Sequence, residues 1–142
     1  MKKILIFFLT LMSLTAFAKG KQPIAFDKVP QPIQTMFLAN YTADQVQYVT
    51  FEKVVGQQLY TFVLSEGTKV QYNQKALLCK VENKEGVLPA LIPEKILEYA
   101  KSTFPNATIT KYVCEKGYKE IELNNHMDLI FNKRDKFLRI ED

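Results

Sequence analysis

The chain has 142 residues, 47% of them hydrophobic and 12% aromatic, and 19 Lys and Arg against 15 Asp and Glu give a formal net charge of +4. So much apolar and aromatic side chain supports a packed interior and excludes a disordered polymer. The cations form no stripe, so the electrostatic footprint of a nucleic-acid binder is missing. The length suits one ordinary domain or two small repeats sharing a core.

Met1-Lys2-Lys3 opens the chain with two cations. Ile4 to Leu14 is apolar but for Thr10 and Ser13, and Thr15-Ala16-Phe17-Ala18 sets small residues at both A-x-A positions. Charge, apolar stretch and small-residue site, in that order, are those of a secretory signal peptide over residues 1–18. A membrane-spanning helix needs ~20 apolar residues, which this stretch lacks, so no stable membrane anchor is expected. The predicted cut falls between Ala18 and Lys19, with no cysteine beside it to carry a lipid. The expected location is periplasmic or secreted. Loss of Lys2 and Lys3 with the signal lowers the net charge to about +2.

Residues 19–27 read as an N-terminal extension, 28–83 as a first repeat, 84–91 as a linker and 92–142 as a second repeat. Pro30, Ile33, Tyr41 and Val46 reappear 63 positions on as Pro93, Ile96, Phe104 and Ile109, and Glu52-Lys53 as Glu115-Lys116. The second copy then lacks four residues. At an offset of 59, Phe62, Leu64, Val70, Tyr72, Asn73 and Val81 face Ile121, Leu123, Leu129, Phe131, Asn132 and Ile140.

Each copy begins with a short amphipathic helix, about Pro32 to Asn40 in the first and 93–103 in the second. Ile96, Leu97, Tyr99, Ala100 and Phe104 form its apolar stripe. Four strands follow in each: about 45–53, 58–65, 69–73 and 76–82, then 108–115, 118–124, 127–132 and 136–141. Glu66-Gly67, Asn73-Gln74, Lys116-Gly117 and Asn124-Asn125 are turn signals, and joints this short require antiparallel pairing. Alternation places Tyr60, Phe62, Leu64, Val70, Tyr72, Ile121, Leu123, Leu129 and Phe131 on one face. The expected fold is α+β: two tandem helix-plus-four-strand antiparallel repeats forming one two-layer domain, with the helices on one face of the sheet.

Helix-opening Pro-x-x-Ile, Phe-Pro-Asn-Ala-Thr-Ile at 104–109, Tyr-Lys-Glu-Ile-Glu-Leu at 118–123 and Leu-Ile-Phe-Asn at 129–132 give the chain a further identity. In that order, it resembles the PepSY-like, beta-lactamase-inhibitor-protein-like family of exported bacterial proteins. The resemblance spans about residues 28–142. It implies tandem helix-plus-sheet repeats, with structural relatives that bind and inhibit hydrolases through the open face of the sheet. The first copy departs from the pattern with Tyr41-Thr-Ala-Asp and a longer first hairpin. No inhibitory residue carries over.

Little in the sequence points to catalysis, and no motif asks for a cofactor. His126 is the single histidine, a turn residue without the partners that zinc sites need. Cys79 and Cys114 replace apolar residues of the other copy, Leu138 and Phe51, at positions assigned to the inner face. Two readings stand: a disulfide joining the copies, or two buried cysteines acting as small hydrophobes. Glu120 and Glu122 share a strand face that reads as solvated. With Asp128 they would attract a cation weakly, but no calcium-loop spacing is present.

The opposite sheet face is expected to show Val63, Leu78, Lys80, Ile130, Phe137 and Arg139. An exposed Phe beside an Arg is a composition favoured at binding hot spots. The leading expectation is a monomeric, non-catalytic exported module that binds another exported protein, such as a hydrolase, through this face. The alternatives are a small-ligand or envelope-component binder acting as a sensor accessory, and a folding aid. An enclosed apolar pocket would favour the small ligand, and an open mixed concavity the protein.

Overall fold

Alternating apolar residues joined by tight turns leave a chain little choice but to fold back on itself strand by strand. In the computed structural model, which describes residues 20–142, it does so throughout. The predicted signal peptide and the Ala18–Lys19 cleavage point lie outside the described residues.

The elements are β1 (Lys21–Ile24), α1 (Gln31–Leu38), β2 (Val46–Val54), β3 (Gln57–Leu64), β4 (Lys69–Asn73) and β5 (Leu78–Glu82). There follow α2 (Glu94–Thr103), β6 (Ile109–Glu115), β7 (Tyr118–Leu123), β8 (Asp128–Phe131) and β9 (Phe137–Glu141). The nine strands form one open antiparallel sheet in which spatial order repeats chain order. The segment read as an N-terminal extension thus contains a strand. β1 pairs with β2, Pro23 opposite Thr50, and a proline suits an edge strand because it cannot donate to a ladder.

The duplication is visible in the turns. Asn73 Oδ1 accepts hydrogen bonds from the backbone N–H of Lys75 and Leu77, and Asn132 Oδ1 from those of Arg134 and Lys136. Ala76 and Asp135 hold the matching positive φ, 61° and 65°. Between the second and third strands of each copy the left-handed residue is Gly67 in the first and His126 in the second. The four extra residues of the first hairpin do not enlarge its loop. They lengthen its strands, nine and eight residues in β2 and β3 against seven and six in β6 and β7.

The β6–β7 hairpin turns through Lys116 and Gly117, both at positive φ, 53° and 85°. A Cβ on Gly117 would also sit 2.8 Å from Cγ of Lys133. Gly117→Ala should therefore lower the unfolding free energy by about 1 kcal/mol. Urea denaturation checks this, and an unchanged midpoint would show that the turn relaxes freely.

Helix and sheet meet through aromatic and aliphatic side chains. α1 buries Ile33 and Phe37, four residues apart, and α2 buries Ile96 and Ala100. The Phe37 ring stacks on Phe62 at 4.3 Å. In the second copy Ala100 is too small for that role, and Tyr99 supplies the ring, stacked on Phe137 at 4.6 Å and edge-on to Phe131 at 5.7 Å. The register Phe62–Val70–Val81–Tyr112–Ile121–Leu129 carries this apolar side across both copies.

Two residues expected on the opposite side belong here instead. Leu78 lies opposite Tyr72, and Phe137 lies opposite Phe131. A register irregularity separates each from its neighbours, because Gln71 pairs with Lys80 and Ile130 with Arg139. Each bulge inserts one residue, Cys79 or Leu138, and so returns the preceding side chain to the apolar side.

Candidate functional site

The polar side of β5–β9 gathers the chemistry. One cross-strand row runs Lys80–Val113–Glu120–Ile130–Arg139, and the next Glu82–Lys111–Glu122–Asp128–Glu141. Period-two alternation puts these side chains on one surface, and the register puts each beside its neighbour.

The second row changes character along its length. From Lys69 through Glu82 and Lys111 to Glu122 opposite charges face each other at every step. Beyond Glu122 the pattern breaks: Glu122 faces Asp128, and Asp128 faces Glu141. Like charges directly opposed in a ladder are destabilising. The outer members have cations, Lys111 Nζ at 4.0 Å from Glu122 and Arg139 Nε at 2.7 Å from Glu141. Asp128 between them has an Oδ1 that is buried without a hydrogen-bond partner.

Electrostatics follow from that placement. Burial first, then Glu122, push the Asp128 carboxyl above the usual range, with Glu141 adding to this and Lys111 opposing it. Glu120 is raised by burial first and then by Asp128. The site is thus an anionic strip whose centre is held under strain, and polar sites that violate ordinary pairing are candidates for function.

Its shape is open. A concavity of about 680 Å³ is lined by residues including Val113, Tyr118, Glu120, Ile130, Arg139 and Glu141. A second, of about 570 Å³, lies among Lys69, Glu82, Thr110, Glu122 and His126. Each is bounded by polar and apolar groups together and opens to solvent. Among the described residues no group of three or more His, Cys, Asp or Glu is placed to hold a metal ion.

Of the residues expected to form an interaction surface, Val63, Lys80, Ile130 and Arg139 lie on the polar side, with Val63 opposite Lys69 and the other three in the first row. Ile130 is only 8% exposed, so it serves as floor rather than protruding anchor. Leu78 and Phe137 leave the surface for the apolar side, as described above. His126 is exposed in the β7–β8 turn, at φ 68°. Cys114 packs against the core, and Cys79 sits at the β5 bulge. Sequence reasoning named Glu120, Glu122 and Asp128 but missed Lys111 and Glu141. Continuing the β7–β8 register outward from its turn would have aligned Glu122 with Asp128, whereas Glu141 comes opposite Asp128 only through the bulge at Leu138.

A tandem helix-plus-sheet chain with one polar sheet side is the class that fold and site define. The chain belongs to the family described as "Putative beta-lactamase-inhibitor-like, PepSY-like", which matches it twice, over residues 17–80 and 58–139. Three solved structures share the fold. A "putative periplasmic protein" of the DUF2874 family from Bacteroides vulgatus is 23% identical, with TM-score 0.79 over 89% of this chain and 100% of that one. A "putative calcium-regulated periplasmic protein" from Bacteroides thetaiotaomicron is 24% identical, with TM-score 0.79 over 86% and 97%. A second Bacteroides vulgatus "putative periplasmic protein of unknown function" is 21% identical, with TM-score 0.78 over 87% and 100%. No curated protein matches the chain. Among the described residues no helix is long and apolar enough to cross a membrane.

Proposed function

We propose that the chain is an exported, periplasmic, non-catalytic binding module that docks a second exported protein through the polar side of β5–β9. The partner is of the hydrolase class suggested by the family description, and it presents Lys or Arg side chains to the anionic strip. One observation carries this reading: the run Glu122–Asp128–Glu141, whose central carboxylate keeps an unpartnered buried oxygen. Such a strip costs the free protein stability and is relieved by an incoming cation. Contact of α1 with Phe62 and of α2 with Phe131 supports placing both helices on the apolar side, leaving the polar side free. Open, mixed concavities favour a protein surface over an enclosed small ligand.

The test is affinity capture from periplasmic extract with residues 19–142, followed by titration of the captured hydrolase. Glu120→Lys with Glu141→Lys should weaken binding by about 100-fold or more. Lys95→Glu, an exposed change on α2, should leave affinity within about twofold. Equal affinity of the sheet double variant and the unaltered chain would sink the reading. Calcium serves as a second titrant, because one relative is described as calcium-regulated. A cation that occupies the strip should compete with a basic partner, so added calcium is expected to weaken docking.

A further inference from the structure

β5 and β6 are the neighbouring strands at which the first copy meets the second, and theirs is the shortest ladder in the sheet, with three register pairs. Lys80 faces Val113, Val81 faces Tyr112 and Glu82 faces Lys111. Continued by one residue, this register sets Cys79 opposite Cys114. Directly opposed residues of an antiparallel pair have Cα atoms ~4.5–5.5 Å apart, inside the ~4.4–6.8 Å that a disulfide spans. The chain has 2 cysteines in 142 residues, and these are they.

Their surroundings fit the pairing. Both are half-buried and free in the structure. They line one concavity of about 480 Å³ beside Leu78 and Gly117, so a small oxidant has access. Their closeness is felt electrostatically: burial first, then Cys114, push the Cys79 thiol up. At the equivalent positions of the other copy stand Leu138 and Phe51. Those lie in β9 and β2, which are far apart in the strand order, so cysteines there would meet no partner. Only at the seam does the substitution bring two thiols together.

We propose that Cys79 and Cys114 form a cross-strand disulfide that fastens the two copies at their seam. The oxidant is a disulfide compound. One cysteine thiolate attacks it, forming a mixed disulfide and releasing one thiol. The other cysteine thiolate then attacks the protein-side sulfur, closing Cys79–Cys114 and releasing the second thiol. The two protein thiols together give up two protons and two electrons, and the oxidant's S–S bond is reduced to two thiols. The closed loop ties the start of β5 to the end of β6 through α2. It thereby constrains the shortest ladder in the sheet, and with it the angle between the two halves of the polar side. This inference stands apart from the docking reading, since it needs no partner.

The test uses residues 19–142, reduced and then exposed to oxidised glutathione. Thiol titration in denaturant should fall from two thiols to none, and the intact mass by about 2 Da for the two hydrogens lost. The monomer should persist on a non-reducing gel. The oxidised form should melt about 10–15 °C above the reduced one, and Cys79→Ser or Cys114→Ser should abolish that redox-dependent difference. Two titratable thiols after oxidation, glutathione adducts on both cysteines, or disulfide-linked dimers would each overturn the proposal.

Discussion

Truncating Phe62 to alanine should lower the unfolding free energy by about 3–5 kcal/mol, the range for removing a fully buried aromatic ring. Phe62 is 0% exposed. Its ring stacks on Phe37 at 4.3 Å and meets Phe26 at 5.8 Å and Tyr72 at 6.0 Å, both edge-on. One side chain of β3 therefore joins the segment before α1, α1 itself and β4. Surrounding rings collapse poorly into the space it leaves, so the cavity adds to the lost transfer energy. Denaturant unfolding should show a lower midpoint at unchanged slope. A loss below about 1 kcal/mol would mean that α1 does not depend on this stack.

Asp128→Asn is expected to act in the other direction, stabilising the free protein by about 1–2 kcal/mol at pH 7 while weakening the docking proposed above. The folded-state pKa of Asp128 is raised, so between the unfolded value, ~3.9, and the raised one the native state binds more protons than the unfolded state. Unfolding free energy then falls as pH rises through that window. The Asp128 contribution is fully present below the unfolded value and lost above the raised one. The stability curves of the two proteins should thus coincide near pH 3 and separate as pH climbs past about 4. Glu120, raised by burial first and then by Asp128, keeps the burial cause in both proteins and loses the Asp128 part in the variant, so its own decline with pH is smaller there. Parallel curves across the whole range would show that the Asp128 carboxylate carries no special cost. A residue whose removal stabilises the fold but harms binding is the signature of a site kept for function.

Much of this architecture was legible in the residues. Phe62, Leu64, Val70, Tyr72, Ile121, Leu123, Leu129 and Phe131 alternate so regularly that their shared side follows from pleat geometry alone. Gly67, Asn73, Gly117 and Asn132 mark turns because they supply left-handed backbone or side-chain acceptors. The strand at Lys21–Ile24 was hidden. Four residues containing a proline carry no alternation, and β2 decides their conformation by offering its edge. Phe137 and Leu78 were misplaced because a single extra residue in a bulge reverses parity, and nothing local in Lys-Phe-Leu-Arg or Ala-Leu-Leu-Cys announces it. The anionic strip was half visible. Glu120 and Glu122 share a strand, but Asp128 and Glu141 join them only through two further registers, a tertiary fact that composition does not carry.

A sheet whose spatial order repeats its chain order also has a history written into it. Nearly every backbone pairing joins the two arms of one hairpin, so little loop entropy is spent before a contact forms. The two excursions are those through α1 and α2, which close β1 onto β2 and β5 onto β6. Each half is expected to assemble from its own hairpins, quickly and from local contacts. The β5–β6 junction is expected to zip last, since it waits on a helix and offers the fewest rungs. The final event of folding is then the meeting of two finished halves, at the one place where the chain keeps its cysteines.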